Sequence, residues 1–326
     1  MAAHSRLATA LDDGAMTLPG GAVTVMRPGA DYDLSPLSDR DITIQHTHAT
    51  EVEAFRAAGY TVSRDRPAAA TTTIVVVPRF KALARSMIAQ AAATSGMIVV
   101  DGQRSDGIDS LFRDCRKRLG DLPSITKAHG RIFWFAATDV FADWAVSAPV
   151  ANVSGFHTTA GVFSDGEVDR GSALLAAALP GKLPATMADL GAGWGYLSRA
   201  VLDRDGVKSL ALVESEALAL DCARLNIDDP RASFHWADAL AFRPERKFEG
   251  IVMNPPFHTG SKGTPALGQG FIVAAARMLA PHGQLWMVAN RHLPYEAALR
   301  SQFRRVEELP GDGAFKLFHA ARPGTP

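Results

Sequence analysis

The sequence predicts an α/β protein of two domains, each built around a mostly parallel sheet. Its 326 residues are enough for two domains of ordinary size. Short apolar runs alternate with helical patterns from about residue 41 to 136, and again from about 188 onward. Such alternation indicates parallel strands joined by helices. Because this alternation of strand and helix patterns is lost around 139–170, we predict domains at 1–150 and 151–326.

The first half begins with about 35 residues that are rich in Gly, Pro and Asp and show little periodicity, which predicts a loosely held start. Apolar and β-branched runs then predict strands over 42–44, 60–62, 74–77, 97–100 and 131–136. Helical patterns between them predict helices over 49–58, 80–93 and 109–119. A connector over 139–151 follows.

The second half repeats the alternation more clearly. An Ala- and Leu-rich helix over 169–179 comes first and is ended by Pro180 and Gly181. The predicted strands are 188–190, 209–213, 232–236, 250–253, 284–289 and 315–320, with the last as an edge strand. The predicted helices are 196–203, 216–226, 268–279 and 295–303.

The overall composition is that of a globular protein without a strong charge bias. The chain has 47% hydrophobic residues, and its 34 basic side chains are balanced by 34 acidic ones. Bulk charge therefore does not indicate a nucleic-acid binder, and any such contact must come from local patches. Cys115 and Cys222 lie far apart and form no metal-binding pattern, which suggests a reducing compartment. Since no apolar run has the length of a membrane span and the N-terminus lacks a signal-peptide core, we expect a cytoplasmic protein without a membrane contact.

The stretch 248–257 joins a short buried strand to a stiff loop. Residues 251–253 are apolar, and the strand must end at Asn254 because the two prolines that follow cannot donate backbone hydrogen bonds. In open α/β sheets ligands bind at the carboxyl ends of the strands. The loop therefore lies where chemistry is expected.

These residue types suit the chemistry of an aromatic amine, whose lone pair is delocalised into the ring. The Asn254 side-chain oxygen and the Pro255 carbonyl, placed on the amine hydrogens, favour a more tetrahedral nitrogen that can attack. Phe257 can stack on the base, a contact worth about 1–3 kcal/mol. The alternative is an ordinary strand followed by a Pro-Pro turn and a core phenylalanine.

A glycine-rich turn links strand 188–190 to the helix that starts at Tyr196. The spacing Gly191-x-Gly193-x-Gly195 lets the backbone approach a ligand, and the N-terminus of the helix offers N–H groups to an anion. The dinucleotide fingerprint needs a different spacing, which weakens a nicotinamide interpretation. Asp189, at the end of the strand, can hold an ammonium group.

Two further acids end the next two strands. Glu214 lies where an acidic side chain accepts hydrogen bonds from both ribose hydroxyls, and Asp238 can read an adenine amino group. Each acid alone is more often a helix cap or a solvated loop residue. Together with the glycine turn they fit a nucleoside with an amino-acid tail, namely S-adenosylmethionine.

The two halves also share a local pattern. Residues 74–81 align without a gap on 251–258, and each segment precedes an Ala-rich helix, a glycine and another apolar strand. Val77 stands where the second half has Asn254, and the first half lacks the glycine turn. We therefore predict a duplicated domain whose first copy is catalytically silent; the alternative is a chance likeness between two strand–helix units.

The chain resembles the class I S-adenosylmethionine-dependent methyltransferases that act on nitrogen, and most closely the bacterial ribosomal RNA guanine-N2 methyltransferases. The residues that carry the resemblance are Asp189–Gly195, Glu214, Asp238 and Asn254-Pro-Pro-Phe257, with Gly161–Ser164, Asp169, Gly171-Ser172, His258, Ala289-Asn290, Leu293–Tyr295 and Phe315-Lys316. It implies two tandem Rossmann-like class I methyltransferase domains, the N-terminal one degenerate. The implied reaction is methylation of a guanine N2 in ribosomal RNA, most closely that of the small subunit.

The resemblance and the residue patterns together give a set of expected site residues. The catalytic loop is expected to be Asn254, Pro255, Pro256 and Phe257. S-adenosylmethionine is expected to contact Asp189, Gly191, Ala192, Gly193, Gly195, Glu214, Ser215, Asp238, Ala239 and Asn254. Substrate contacts are expected from Phe163, His258 and Lys316. The implied reaction needs no metal, and His46 and His48 alone are too few ligands for a metal site.

The substrate side leaves alternatives open. Candidates for phosphate contacts are Arg79, Lys81, Arg85, Arg113, Arg116, Lys117, Arg118 and Lys316, although a charged helix is usually only a solvated surface. The expected partner is ribosomal RNA or the small ribosomal subunit, and a monomer is expected. Other possibilities are methylation of adenine N6 or of a protein glutamine, a non-catalytic RNA-binding assembly factor, and a nicotinamide oxidoreductase.

Overall fold

A computed structural model describes residues 5–65, 69–146, 148–256, 258–259, 262–263 and 265–324. The chain divides into two compact units, Met1–Ala148 and Pro149–Pro326. Within the described residues, no helix is both long and apolar enough to cross a membrane.

The first unit alternates strands and helices. Its helices are α1 (Arg6–Asp12), α2 (Ala49–Ala57), α3 (Lys81–Thr94) and α4 (Ile108–Leu119), with short 3-10 turns at Ser35–Leu37, Arg104–Asp106 and Asp139–Trp144. Its strands are β1 (Val23–Met26), β2 (Ile42–Gln45), β3 (Thr61–Ser63), β4 (Ala70–Val76), β5 (Ser95–Gln103), β6 (Ser124–Lys127) and β7 (Gly130–Ala136).

These strands form one sheet in the order β3-β2-β1-β4-β5-β7-β6, in which only the β5–β7 and β6–β7 pairs are antiparallel. The prediction of a loosely held start is wrong, because β1 lies at the centre of the sheet and all four of its residues are buried. A strand that is buried on both faces shows no alternation of apolar and polar residues. Four residues between glycine-rich segments are also too few to predict a strand from hydrophobicity alone.

A polar cluster occupies the carboxyl end of this sheet. Asp101 in β5 is buried, and its carboxylate accepts hydrogen bonds from the Arg6 Nε at 2.6 Å and from the Tyr32 hydroxyl at 3.0 Å. Val77, directly after β4, is buried and packs so closely on Gly102 that a Cβ added there would lie 2.8 Å from the valine Cβ. The first unit thus fills with its own side chains the region where an open α/β sheet binds a ligand.

The second unit opens with the two-residue hairpin of β8 (Val150–Ala151) and β9 (His157–Thr158). Its main strands are β10 (Thr186–Leu190), β11 (Ser209–Glu214), β12 (Ala232–Trp236), β13 (Phe248–Met253), β16 (Leu279–Asn290), β17 (Phe303–Leu309) and β18 (Phe315–Pro323), with a small pair β14 (His258–Thr259) and β15 (Lys262–Gly263). Its helices are α5 (Arg170–Ala178), α6 (Tyr196–Leu202), α7 (Ala217–Asn226), α8 (Pro265–Met278) and α9 (Glu296–Gln302), with a 3-10 turn at Phe163–Gly166.

The main sheet of the second unit has the order β12-β11-β10-β13-β16-β18-β17. This is the strand order of the first unit, and again only the last strands run antiparallel. Apolar clusters cover both faces of the sheet, as a buried parallel sheet requires. The predicted fold class, two tandem Rossmann-like α/β domains, is confirmed.

One strand of the second sheet escaped prediction. The strand at 315–320 is not at the edge, because β17 lies outside β18. β17 was missed because four of its seven residues are Arg or Glu, a composition that is typical of edge strands protected from aggregation but resembles a solvated helix.

Candidate active site

The glycine turn and the Asn-Pro-Pro loop leave the sheet side by side. β10 and β13 are parallel neighbours, and Leu190 pairs with Met253 at the end of both strands. Gly191 and Asn254 are therefore the first residues beyond the same point on the sheet. Two segments that lie 63 positions apart in sequence meet at one carboxyl edge, where open α/β sheets bind ligands.

All three glycines of the turn have left-handed backbone angles, with φ of 73°, 56° and 94° at Gly191, Gly193 and Gly195. Side chains are strained at such angles. A Cβ added at Gly195 would lie 2.9 Å from the Ile227 side chain, whereas one added at Gly193 would meet no atom within 4 Å. Gly195 is thus required by packing, while Gly193 faces open space that a ligand can enter.

Glu214 ends β11 and holds the turn in place. Its Oε2 accepts the Gly193 N–H at 2.8 Å, and its Oε1 accepts the Glu216 N–H at 2.8 Å. The Ser215 hydroxyl is 3.4 Å from Oε1. The structure therefore brings the predicted ribose acceptor onto the predicted cofactor turn, where it already orders the loop backbone.

Asp189 is fully buried behind the turn. The Ser198 hydroxyl of α6 donates to its Oδ2 at 2.7 Å, while its Oδ1 has no hydrogen-bond partner among the residues that the structure describes. Burial raises the pKa of Asp189 to about 7; the Ser198 hydrogen bond lowers this pKa, and the negative charge of Glu214 raises it further. An unsatisfied buried carboxylate oxygen is costly, and a cationic ligand group can satisfy it.

Asp238 follows β12 at the same edge of the sheet. Its Oδ1 accepts the Leu240 N–H at 2.8 Å, and its carbonyl accepts the Phe242 N–H at 2.8 Å. The side chain therefore caps its own turn. Ala239 beside it is buried.

Trp194 lies within the glycine turn, and its side chain is buried rather than exposed to the open space. Its ring is buried and packs on Phe156 and Tyr196, with centroid distances of 5.0 and 5.9 Å. Its Nε1 donates to the Phe163 carbonyl at 3.3 Å. The tryptophan thus ties the turn to the segment that precedes α5.

Asn254 is held in one orientation by the start of α5. Its Nδ2 donates to Asp169 Oδ2 at 2.9 Å and to the Ser172 hydroxyl at 2.9 Å. Asp169 also caps α5, because the same Oδ2 accepts the Ser172 N–H at 2.8 Å. Both donors of the amide are therefore used, and its Oδ1 takes no hydrogen bond from the described residues. The Asn254 amide must present an acceptor oxygen.

A cavity of about 120 Å³ opens next to this amide. Its lining combines aromatic rings and amides: Phe163, Ser164, Asp169, Asn254, Pro255, Ala289, Asn290, Leu293, Tyr295 and Phe315. Phe163 is 46% exposed, and a Cβ added at Gly171 would lie 2.9 Å from the Phe315 ring. The glycine thus permits the Phe315 ring to lie against the first turn of α5. We call this cavity the amide pocket.

The remaining predicted site residues have different surroundings. Pro255 is buried, Pro256 is exposed, and Phe257 falls outside the described residues. His258 begins β14. The Lys316 ammonium forms an ion pair with Glu296 and is only 15% exposed.

Several of the basic side chains proposed for phosphate contacts also have acidic partners. Lys81 and Arg85 both pair with Asp114, at 2.6 and 2.7 Å. Arg116 pairs with Asp121, and Arg118 with Asp143. Among the described residues, no group of three or more His, Cys, Asp or Glu side chains can hold a metal ion.

Sequence reasoning did not assign roles to several residues of the amide pocket. Asp169 and Ser172 had the spacing of a helix N-cap, but that spacing alone does not identify what else the cap binds. Asn290 and Phe315 pair directly across the antiparallel strands β16 and β18. That contact depends on strand order, which a single sequence does not provide.

Comparison with known proteins places this site in context. The family model of the methyltransferase small domain matches residues 154–319. The ribosomal RNA small subunit methyltransferase C of Shewanella sp. (strain MR-4) is 30% identical over 261 residues, which cover 76% of this chain and 76% of the relative. The protein of the same name from Shewanella oneidensis is 30% identical over 263 residues, again 76% of each chain.

One solved structure resembles nearly the whole chain. It is the 16S rRNA N2 G1207 methyltransferase (RsmC) of T. thermophilus in complex with AdoMet and guanosine, with a TM-score of 0.78 and 23% sequence identity. The match covers 94% of this chain and 90% of that one. The two proteins therefore share their fold.

Proposed function

The chain belongs to the family of ribosomal RNA small subunit methyltransferases C, with a methyltransferase small domain over residues 154–319, and on this premise we propose that it methylates a guanine N2 in small-subunit ribosomal RNA. The methyl donor is S-adenosylmethionine. The observation that carries the proposal is the Asn254 amide, whose oxygen is directed outward beside the glycine turn.

The chain's residues fit this cofactor. The open space at Gly193 can hold the part of the cofactor that contacts the backbone of the glycine turn. The unsatisfied Asp189 Oδ1 suits the ammonium of the cofactor's amino-acid tail. Glu214 and Asp238, at the ends of adjacent strands, suit the ribose and the adenine amine. We propose that Gly191, Ala192, Gly195, Ser215 and Ala239 complete the binding surface. When bound, the cofactor supplies an electrophilic methyl group on a positively charged sulfur.

The catalytic loop activates and positions the amine. The Asn254 Oδ1 accepts one hydrogen of the guanine N2 and the Pro255 carbonyl accepts the other, which weakens conjugation of the nitrogen lone pair with the ring. Phe163 and Phe315 contact the base within the amide pocket, and Phe257 is proposed to stack on it. After methyl transfer the nitrogen loses one proton to water, because a methylated aryl ammonium is strongly acidic.

Asp189 makes cofactor binding depend on pH. Its folded pKa of about 7 means that the carboxyl is mostly neutral at pH 6, whereas the cofactor ammonium favours the ionised form. We expect the dissociation constant of S-adenosylmethionine to fall about fivefold between pH 6 and pH 7, where the ammonium stays protonated. Calorimetric titrations across this range measure the change, and the Asp189→Asn variant should bind weakly with no such slope. A wild-type affinity that is constant from pH 6 to 7 would contradict the assignment.

The same group has a stability consequence in the cofactor-free protein. An unfolded aspartate has a pKa near 3.9, so between about pH 4 and 7 the folded chain binds a proton that the unfolded chain has lost. Asp189 therefore makes the free energy of unfolding fall as the pH rises through this window. Thermal unfolding of wild type and Asp189→Asn at pH 5 and pH 8 isolates that contribution.

The substrate is tested with small ribosomal subunits purified from a strain that lacks this gene. They are incubated with the purified chain and S-adenosylmethionine, and the RNA is digested to nucleosides for mass spectrometry. One new N2-methylguanosine per particle is the expected product. N6-methyladenosine in the RNA, or methylglutamine in the ribosomal proteins, would replace the guanine proposal with one of its rivals.

The partner and setting follow from that substrate. Because the described residues offer no large excess of positive charge, we propose that the enzyme reads a structured ribosomal particle rather than free RNA. Removing a guanine from its stack costs a few kcal/mol in a duplex and less in a loop or an immature particle. The enzyme is proposed to act as a monomer in the cytoplasm, where small subunits are assembled.

A further inference from the structure

The amide pocket contains a second carboxamide whose hydrogen-bonding groups are unused. Asn290 is the last residue of β16, half-buried, and lines the pocket together with Asn254. Its side chain takes part in no hydrogen bond with any residue of the described chain. A half-buried amide that has both a donor and an acceptor available is suited to bind a ligand with matching groups.

The other polar groups of the pocket do not combine an adjacent donor and acceptor as the Asn290 carboxamide does. Asp169 is a carboxylate that can only accept, and its Oδ2 already accepts two N–H donors. Both donors of Asn254 are used. The Tyr295 hydroxyl is buried against Gly268 of α8, where even a Cβ would collide with it. Ser164 also lines the pocket, but its single hydroxyl oxygen cannot pair side by side with two neighbouring groups of a base edge. Asn290 is the group best placed to read a base edge next to Asn254.

The donor and acceptor pattern of guanine fits these two amides in order. Its Watson–Crick edge presents the N2 amine, then the N1–H donor, then the O6 acceptor. With the N2 amine on Asn254 and the Pro255 carbonyl, the next two groups require one acceptor and one donor. A single carboxamide supplies both, as in the bidentate amide–base pairs of nucleic-acid recognition.

The strand register places Asn290 beside Phe315, another residue of the pocket lining. Asn290 pairs with Phe315 across β16 and β18, so the two side chains share one face of the sheet. Phe315 and Phe163 supply the aromatic surfaces of the pocket, while Asn254 and Asn290 supply polar groups. Because both amides line one pocket, a base that stacks on a ring and places its amine on Asn254 can present its remaining edge to Asn290.

We propose that Asn290 is the residue that selects guanine, by accepting the N1–H and donating to O6. This inference rests on the proposed function and adds a specificity determinant to it. Adenine placed with its amine on Asn254 would offer a ring nitrogen acceptor and a C–H, so Asn290 could make at most one hydrogen bond with it. One good bidentate pair discriminates by about 1–3 kcal/mol, which is roughly fivefold to 150-fold.

The test compares nucleosides that differ only along this edge. Guanosine, inosine and 2-aminopurine riboside are titrated into wild type and Asn290→Leu, each saturated with S-adenosylhomocysteine and followed by NMR. Inosine keeps N1–H and O6 but lacks the N2 amine, whereas 2-aminopurine keeps the amine and lacks the other two groups. We expect Asn290→Leu to weaken guanosine and inosine tenfold or more, and to weaken 2-aminopurine riboside clearly less, because that base offers Asn290 only the N1 acceptor. Equal weakening of all three, or none, would overturn the proposal.

A second measurement uses turnover. The small subunit RNA is assembled with guanine or with 2-aminopurine at the methylated position, and kcat/KM is measured for both. Wild type should prefer guanine by at least tenfold, and Asn290→Leu should reduce that preference toward unity. Asn290→Asp serves as the conservative variant, since its carboxylate accepts N1–H but repels O6 and should also bind guanosine weakly.

The outcomes separate this inference from the proposed function. Absence of N2-methylguanosine with the wild-type enzyme would end the proposed function itself. A wild-type enzyme that makes N2-methylguanosine, together with an Asn290→Leu variant of unchanged guanine preference, would refute only the role of Asn290. An unchanged affinity for S-adenosylhomocysteine shows that the variant is folded around the glycine turn.

Discussion

Replacing Asn254 by alanine is expected to reduce kcat by a hundredfold to a thousandfold, with the affinity for S-adenosylmethionine changed less than threefold. The substitution removes the acceptor oxygen that activates the amine, and one such preorganised hydrogen bond contributes about that factor. Single-turnover methylation of small subunits measures the rate, and calorimetry measures cofactor binding. Val77→Ala is the matched control, because Val77 holds the corresponding position in the first unit and should leave turnover unchanged.

The orientation of this amide can be tested by exchanging the partners. Asp169→Asn alone loses the carboxylate that receives the Asn254 N–H, and Asn254→Asp alone places two carboxylates 2.9 Å apart. Each single variant should be strongly impaired. The double variant restores one amide and one carboxylate, and asparagine still caps α5, so part of the activity should return. A double variant no better than the worse single variant would contradict the proposed contact.

Gly193→Ala is expected to abolish measurable cofactor binding while the protein stays folded. The added methyl group enters the open space beside the turn, and the left-handed backbone resists a side chain. Gly14→Ala isolates the cost of a side chain at a left-handed backbone angle. Gly14 has a similar φ of 67°, and a Cβ added there would meet no atom within 4 Å. Both variants should lose about 1–2 kcal/mol of stability, but only Gly193→Ala should lose the cofactor in a calorimetric titration. Near-normal binding by Gly193→Ala would remove the turn from the cofactor site.

The second unit was easier to predict than the first because its signals are stronger. The strands that precede Asn254 and the glycine turn are apolar, short and bounded by Gly or Pro. The effect of Gly and Pro on where a strand ends is local and does not depend on tertiary contacts. The likeness between residues 74–81 and 251–258 predicted two similar strand–helix units. In the structure, β4 and β13 occupy the same place in two sheets of identical strand order.

What escaped prediction depends on partners distant in sequence. β1 is central to its sheet, yet Val23–Met26 carries no pattern that separates a buried strand from an apolar loop. The contact of Asn254 with Asp169 spans 85 residues and requires that α5 begin beside the end of β13. Asn290 joins the same pocket only because β18 folds back against β16. Local propensity does not contain this information.

The filled carboxyl end of the first unit has an evolutionary consequence. An asparagine introduced at position 77 would be confined against Gly102, and the neighbouring space is already taken by Arg6, Tyr32 and Asp101. An asparagine at position 77 alone would therefore not create a ligand site, and several simultaneous changes would be needed before selection could act. The buried Arg6–Asp101 ion pair thus keeps the first unit from acquiring a ligand site by single substitutions.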